Sequence, residues 1–588
     1  MLSKGSILQD GKIFFKDKYT VVLFVCFLML SWYYLDNVPS WRTETETLNI
    51  ARTTALFGYP ASFDGRNHVA VGGAFDDREI VYFSPWLQFY LPALYMRIAG
   101  NTSPSLFVMR SLFVIFGVLS LILTSMLCTA LTGDSVLRRV VVFLMTFNLT
   151  YLYHIRQARY YSISIFFMLL SIYLFFGFLD NLQKWKSLVV SLILLFHSNW
   201  FIFGTTYMGL FIVLVMNACK FSDNRIRIQK KVFGFFIVIS VIVVIFTAPL
   251  YLYLKPYSFI TGASGGWLGR YMLLKYILLT THLFIFPIFL LLGYELAKQY
   301  KLSYAAAVSL IFGIMIALWT MNILEKEWDV LLFVILVVIL VYGFVIKKWF
   351  WDLLITPRGW IGIFVLANIS GMLVAGYQFY DFRYAVQIIP LVFIFGGHIF
   401  VEILHKNPIA GKCIVGLLGL TNLLSIIIAV PMILSGSDRL EQGVGDINTP
   451  LNFRLNMSVP VLRYLQDESH VHRPPVSWVA CGLLKKQASE NDTVLMVYDD
   501  GGFEMMYFCP EYVINAPSTI KAYNRYFLQT INHKWVIAPR PMEELFVENY
   551  TVVDNATGYF IDQSHRPDPW SHVISNGLVH DVMLYRLR

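Results

Sequence analysis

The chain has 588 residues, of which 57% are hydrophobic and 14% charged, with a mean hydropathy of +0.61 and a net charge of +9. Soluble domains carry about 25% charged residues, so this composition excludes a soluble globular protein and implies an integral membrane one. The positive balance does not point to nucleic acid, because the basic residues gather in short loops between apolar runs, where they set membrane orientation.

Apolar windows suited to crossing about 30 Å of hydrocarbon occur near 19–36, 105–132, 139–155, 161–179, 187–199, 201–218 and 232–254. Further windows lie near 275–295, 303–323, 329–346, 360–376, 386–404 and 413–435, which predicts about 13 transmembrane helices. The first follows Lys16 and Lys18 without a small-residue cleavage site after it, so it reads as a retained signal anchor. With the N-terminus inside, the inner loops hold Arg138, Arg139, Lys184, Lys186, the run from Lys220 to Lys231, Lys298, Lys301, Lys347, Lys348, Lys406 and Lys412. The positive-inside rule favours that orientation and places residues after about 436 on the outer face.

Two polar clusters then share the outer side: Trp41-Arg42-Thr43-Glu44-Thr45-Glu46 after the first window and Arg156-Gln157-Ala158-Arg159-Tyr160 after the third. Charge set beside apolar spans is commonly kept for chemistry. The first cluster opens a long outer loop, 37–104, with a surface helix expected from Thr45 to Phe57 and stopped by Gly58-Tyr59-Pro60. The tail, 436–588, changes character: β-branched runs at 493–498, 512–515, 534–538 and 581–585 alternate with helical patterns near 501–508, 517–531 and 541–548. That alternation predicts a small extracytoplasmic α/β domain beside a membrane domain over 1–435. Cys481 and Cys509 share this tail and form a candidate disulfide in an oxidising compartment.

Glu44 and Glu46 suit a general base that deprotonates an acceptor hydroxyl near the interface. The structural alternative is helix capping by Thr43 or Thr45, with an acid complementing the helix N-terminus. Arg156 and Arg159 are three apart, so on a helix they share a face, and their forked donors suit a lipid phosphate; lipid-headgroup contact is the alternative. Arg270, beside the glycine-rich 262–266 loop, and Arg383, near Asp381, are further phosphate candidates on the same side. The isolated histidines His154, His197, His282 and His398 lack metal-ligand spacing, and the His470/His472 pair lies in a polar linker.

In this order the pieces resemble the GT-C superfamily of polyprenyl-phosphate-sugar-dependent glycosyltransferases, of the protein O-mannosyltransferase (family 39) and lipid A aminoarabinose transferase types. Glu44 precedes Ala51-Arg52 and Gly58-Tyr59-Pro60 at matching spacing, with Thr43 where the family has Asp. Phe83-Ser84-Pro85-Trp86 and Met109-Arg110-Ser111 follow, with Asp76, Asp77 or Glu79 standing in for a displaced acid. Gln157-Ala158-Arg159-Tyr160 matches a Glu-Ala-Arg signature with Gln for Glu, and Arg383-Tyr384 before Pro390 matches a late one. The resemblance implies an inverting transfer on the extracytoplasmic face of a plasma, inner or endoplasmic-reticulum membrane. Arg159, with Arg156 or Arg383, would hold the phosphate of a polyprenyl-phosphate-sugar donor, beside Tyr160. Glu44 would act as base toward a glycan, lipid or protein acceptor, and no metal is required, although some relatives use a divalent one.

Two other classes stay open on sequence: a transporter or flippase of lipid-linked glycans, and an inactive scaffold suggested by Thr43 and Gln157. Transporters tend to show inverted repeats and midplane charges. This chain shows no repeat, and its charges lie at span ends.

Overall fold

The computed structural model describes residues 16–33, 35, 42–67, 69, 80–81, 84–222, 225–228, 230–254, 356–374, 386–406, 408, 476–496, 501–515, 534–539, 550–560 and 578–587. The windows near 275–295, 303–323, 329–346 and 413–435 lie outside these residues, as do Arg270, Arg383, Asp76, Asp77 and Glu79.

Among the described residues four helices are long and apolar enough to cross a membrane: Leu106–Thr132, Tyr160–Asp180, Trp200–Asn217 and Lys231–Tyr253. The helical elements begin with α1 (Lys18–Trp32), α2 (Arg42–Phe57), α3 (Leu87–Ala99), α4 (Leu106–Thr132), α5 (Ser135–Thr146), α6 (Leu149–Ile155) and α7 (Tyr160–Asp180). They continue with α8 (Trp185–Ser198), α9 (Trp200–Ala218), α10 (Lys230–Leu254), α11 (Pro357–Val374) and α12 (Ile389–Lys406). The basic run after α9, expected as a loop, forms a hairpin of β1 (Cys219–Ser222) and β2 (Arg225–Ile228).

The window 139–155 is two helices rather than one span. α5 stops at Thr146, and the Asn148 side chain restarts the chain as α6 by accepting from the Tyr151 amide at 2.8 Å. An Asn at that point competes for the backbone better than an apolar residue would, so hydropathy alone overestimates the helix. Asn148 is itself buried there. α6 packs closely on α4 because Gly117 has no side chain: a Cβ there would meet Ile155 at 2.8 Å. The Tyr151 hydroxyl also donates to the Gly117 carbonyl, at 3.0 Å.

α7 is the central helix, with 83% of its span window buried against 28% for α10. Polar contacts join the surrounding elements. Thr205 Oγ1 donates to Asn368 Oδ1 at 2.6 Å between α9 and α11, and Gln387 Nε2 donates to Ser164 Oγ at 3.2 Å from the 3-10 turn Val386–Ile388 onto α7.

One end of the bundle is tied at Asp17, which caps α1. It accepts from Arg138 at 2.8 Å and from Arg139 at 2.9 Å. Burial would raise its pKa, but hydrogen bonds from Arg139, Arg138 and Thr20 hold it well below the usual carboxylate range. His405 of α12 reaches Asp134 of α5 at this end too, at 3.7 Å. At the other end of α1, the Trp32 indole donates to Ser111 of α4 at 3.0 Å.

α2 corrects an expectation. It covers the predicted helix and stops at Gly58, whose φ of +86° is open to glycine. Yet it is not a surface helix: residues 44 to 55 are all buried. Its cover comes from α3 and from the C-terminal region, whose helices are α13 (Val476–Gln487) and α14 (Gly501–Phe508). Arg52 of α2 donates to the Met506 carbonyl at 2.9 Å and pairs with Asp64 at 3.0 Å. The buried Tyr507 hydroxyl donates to the Pro104 carbonyl at 2.6 Å, and burial raises its pKa.

Behind α14 lies a five-stranded sheet of β3 (Thr493–Met496), β4 (Val513–Asn515), β5 (Trp535–Pro539), β6 (Tyr550–Phe560) and β7 (Leu578–Leu587), in the order β4-β3-β5-β7-β6. The first three run parallel, and β7 and β6 add antiparallel. The four strands expected from β-branched runs overlap β3, β4, β5 and β7. β6 and α13 are not legible that way, because Asp554, Asn555 and Gly558 interrupt β6 and a bulge falls between Val552 and Asp554. The predicted helices at 517–531 and 541–548 lie outside the described residues. Cys481 of α13 and Cys509, just past α14, are bridged.

Candidate functional site

The two polar clusters meet at the end of the bundle opposite Asp17. Glu44 is fully buried in the first turn of α2. Arg110, one turn into α4, grips it with both prongs: Nε to Oε1 at 2.8 Å and Nη2 to Oε2 at 2.7 Å. The third nitrogen, Nη1, donates to the Leu35 carbonyl just past α1, at 2.7 Å. From the second cluster, the Ala158 amide donates to Glu44 Oε1 at 2.8 Å. One carboxylate therefore joins the end of α1, the start of α2, α4 and the turn between α6 and α7. A fork-on-carboxylate pair of this kind is directional as well as strong, which makes it a good fixture.

Arg110 is the residue sequence reasoning left without a role. Its signal was present: a guanidinium five residues into an apolar helix of 27 demands a buried partner. Glu46, two positions beyond Glu44 and also buried, lies on the far side of α2 from it, since i and i+2 do not share a helix face. The two glutamates therefore do not act on one point.

Arg156 and Arg159 do not share a helix face either, because residues 156–159 form a turn rather than helix. Arg156 closes α6 and donates to the Tyr33 carbonyl at 2.5 Å, tying the turn to the end of α1. Arg159 is extended, with φ −139° and ψ 167°, and is the N-cap of α7 without giving it a side-chain cap. Its guanidinium lies 5.5 Å from the Tyr160 ring centre and 5.9 Å from that of Tyr161. Among the described residues no carboxylate lies within ion-pair distance of Arg159, and its buried Nε has no hydrogen-bond partner. A guanidinium beside the first amides of a helix, which have no partner within the helix, is a donor set for an anion.

Two more groups of this turn are unsatisfied. Gln157 is 4% exposed, yet among the described residues neither its amide oxygen nor its amide nitrogen has a partner, and the fully buried Ser162 hydroxyl has none. Leaving one buried amide unpaired costs about 1–3 kcal/mol, so two such groups beside Arg159 are a substantial local deficit. Glu44, Arg156, Arg159 and Tyr160 are thus brought to one place with Arg110, Gln157 and Ser162. Among the described residues no three His, Cys, Asp or Glu side chains gather as a metal set.

No family model matches the sequence, and no curated protein matches it. Among solved structures, the chain is similar to the oligosaccharyltransferase of Archaeoglobus fulgidus in complex with Zn and sulfate. That likeness has a TM-score of 0.46 and 12% identity, over 88% of this chain and 67% of that one. It is also similar to ArnT from Cupriavidus metallidurans in the apo state, with a TM-score of 0.47 and 11% identity over 88% of this chain and 93% of that one. ArnT bound to undecaprenyl phosphate gives 0.45 and 10% over the same shares. Likenesses this distant assign neither fold nor activity to the chain.

Proposed function

We propose that the protein is a multi-pass membrane glycosyltransferase that moves a sugar from a polyprenyl-phosphate donor to an acceptor hydroxyl on the extracytoplasmic side. The observation that carries this reading is Arg159: a cation without a carboxylate partner among the described residues, at a helix N-terminus with no side-chain cap, in a turn fixed by the Glu44–Arg110 pair. That donor set suits the phosphate of a lipid-linked sugar, both when it binds and when it leaves carrying charge. The resemblance of the clustered motifs to GT-C enzymes agrees with it, without singling out family 39.

In the reaction, Arg159 and the first amides of α7 hold the phosphate, with Tyr160 against the guanidinium. The acceptor oxygen attacks the anomeric carbon as the sugar–phosphate bond breaks, so configuration inverts, and the phosphate departs on the lipid. Glu44 has three donors on its two oxygens and no exposure. One lone pair of Oε2 is left by these donors, but the side chain is fully enclosed, so an acceptor hydroxyl reaches it only if the packing around it opens. We therefore assign Glu44 to positioning the turn and give the base role to an acid of the 76–79 loop, Asp76 or Asp77. Ile80, which follows these residues in the chain, bridges Ala61 beyond the end of α2. Arg383 and Arg270 stay as candidate second contacts to the phosphate.

The test is transfer from undecaprenyl-phosphate hexoses by the purified full-length protein. Arg159→Ala should lower transfer about 100-fold with an unchanged melting temperature, the size expected for loss of one charged donor to the leaving group. Unaltered transfer by that variant rejects the reading. Asp76→Asn and Asp77→Asn locate the base. If both keep transfer while a well-folded Glu44→Gln loses it, Glu44 is the base.

A further inference from the structure

The turn that presents Arg159 holds a second kind of chemistry. Gln157 is neutral, more than nine-tenths buried and, among the described residues, unsatisfied at both ends of its amide; Ser162, near the start of α7, is fully buried and unsatisfied among them as well. Buried amides are nearly always hydrogen-bonded, so a pair of open positions beside Arg159 calls for a partner that packing does not supply. The turn is also held rigidly, by the Ala158 amide on Glu44 and by Arg156 on Tyr33. Rigid support is what a specificity residue needs.

The unsatisfied atoms define the ligand group. The Gln157 amide offers two N–H donors and one carbonyl acceptor. A phosphate oxygen only accepts and would leave Oε1 unmet. An ammonium group only donates and would leave Nε2 unmet. Hydroxyl groups do both, and two neighbouring hydroxyls meet both ends of the amide at once.

We propose that Gln157, assisted by Ser162, reads a pair of adjacent hydroxyls on the donor's sugar, so that the donor carries a neutral, polyhydroxylated sugar next to the phosphate held by Arg159. This rests on the reading of Arg159 given above. Gln157 is then a specificity-determining residue: it discriminates the glycosylated lipid from the spent lipid phosphate, which favours product release after transfer.

The experiment measures binding of undecaprenyl phosphate, and of undecaprenyl phosphate carrying glucose, mannose or xylose, to the full-length protein in lipid nanodiscs. The wild type should bind at least one glycosylated lipid about tenfold more tightly than the bare phosphate. In Gln157→Leu that advantage should fall to about twofold or less, while affinity for bare undecaprenyl phosphate stays unchanged. The melting temperature of ligand-free Gln157→Leu should equal or exceed that of the wild type, because the substitution removes an unsatisfied buried amide. A structural glutamine would instead lower it. Arg159→Ala should weaken all the lipids alike. The proposal is overturned if no glycosylated lipid is preferred, if Gln157→Leu keeps the preference, or if it melts earlier and loses affinity for all the lipids together. Should Arg159→Ala leave every affinity unchanged, the phosphate site itself is wrong, whatever Gln157 does.

Discussion

The two ends of α1 carry two buried carboxylate–arginine clusters that look alike and are built for different ends. At Asp17 both arginines, Arg138 and Arg139, reach the same carboxylate, and Thr20 adds a hydroxyl. At Glu44 the carboxylate is equally well met by Arg110 and the Ala158 amide, but the next residues along the chain are not. Among the described residues Arg159 has no carboxylate within ion-pair distance and the Gln157 amide has no partner at either end. A cluster that balances its own charge serves as a fastener. A cluster that satisfies its fixture while leaving neighbouring donors unmet is arranged to receive something.

The strongest test of that contrast is to cut each fixture. Glu44→Ala leaves Arg110 buried without its partner, which costs roughly 3–5 kcal/mol; a thermal melt in detergent should show a large drop, with transfer lost. Arg110→Ala should behave likewise, and the double variant should lose less than the sum of the two, since both remove one interaction. Asp17→Ala should cost about 3 kcal/mol, toward the low end because Arg139 is partly exposed, and the folded fraction should keep its transfer rate. Equal loss of activity from both cuts would erase the distinction between the ends.

Opening the Cys481–Cys509 bridge, which closes a loop of sequence separation 28, should cost about 2–4 kcal/mol. A melt with and without reductant reads this, and Cys481→Ser should be insensitive to reductant. Because α14 packs on α2, with Arg52 donating to the Met506 carbonyl, the reduced protein should also lose protection of residues 44–55 in hydrogen exchange.

A smaller effect is set by pH. The folded-state pKa of Asp17 is depressed, and so is that of Asp492, where burial opposes but hydrogen bonds from Trp535, Lys534 and the Ser489 amide prevail. Their contribution is present in full above the ordinary aspartate pKa of about 3.9 and drains away as pH falls through the lower folded values. Melting temperatures should therefore be flat from neutral pH down to about pH 5 on their account and decline below about pH 4. In Asp492→Asn the acid limb should be shallower. Smallest of all is the surface pair Lys485–Glu511, at 3.5 Å, whose removal should change stability by less than about 1 kcal/mol.

Sequence reading located Glu44 and the 156–160 segment and put them on one side of the bundle, because charges beside apolar spans stand out locally. It misjudged how they are held. Arg156 and Arg159 were read as one helical face, whereas Asn148 breaks the preceding helix and the two arginines fall in a turn, one reaching Tyr33 and the other left beside Tyr160. Glu46 was read with Glu44, but helical periodicity sets it on the opposite side. α2 was read as a surface helix because Thr, Glu, Asn and Arg dominate it; α14 covers it, and no local pattern announces a cover that arrives more than 400 residues later, as in the Arg52–Met506 bond of separation 454.

Hydropathy and charge are properties of single residues and their near neighbours, so the chain by itself determined a membrane protein with polar clusters at span ends and β-branched runs in the tail. Partnership is not local. Glu44 finds Arg110 across 66 residues and Ala158 across 114, and only the packing of α1, α2, α4 and α7 decides which charges are consumed there and which, as at Gln157 and Arg159, are left facing an unmet bond. The physical reason is that burying a charge or an amide is unfavourable until a partner arrives, and the arrival depends on tertiary geometry rather than on neighbouring sequence.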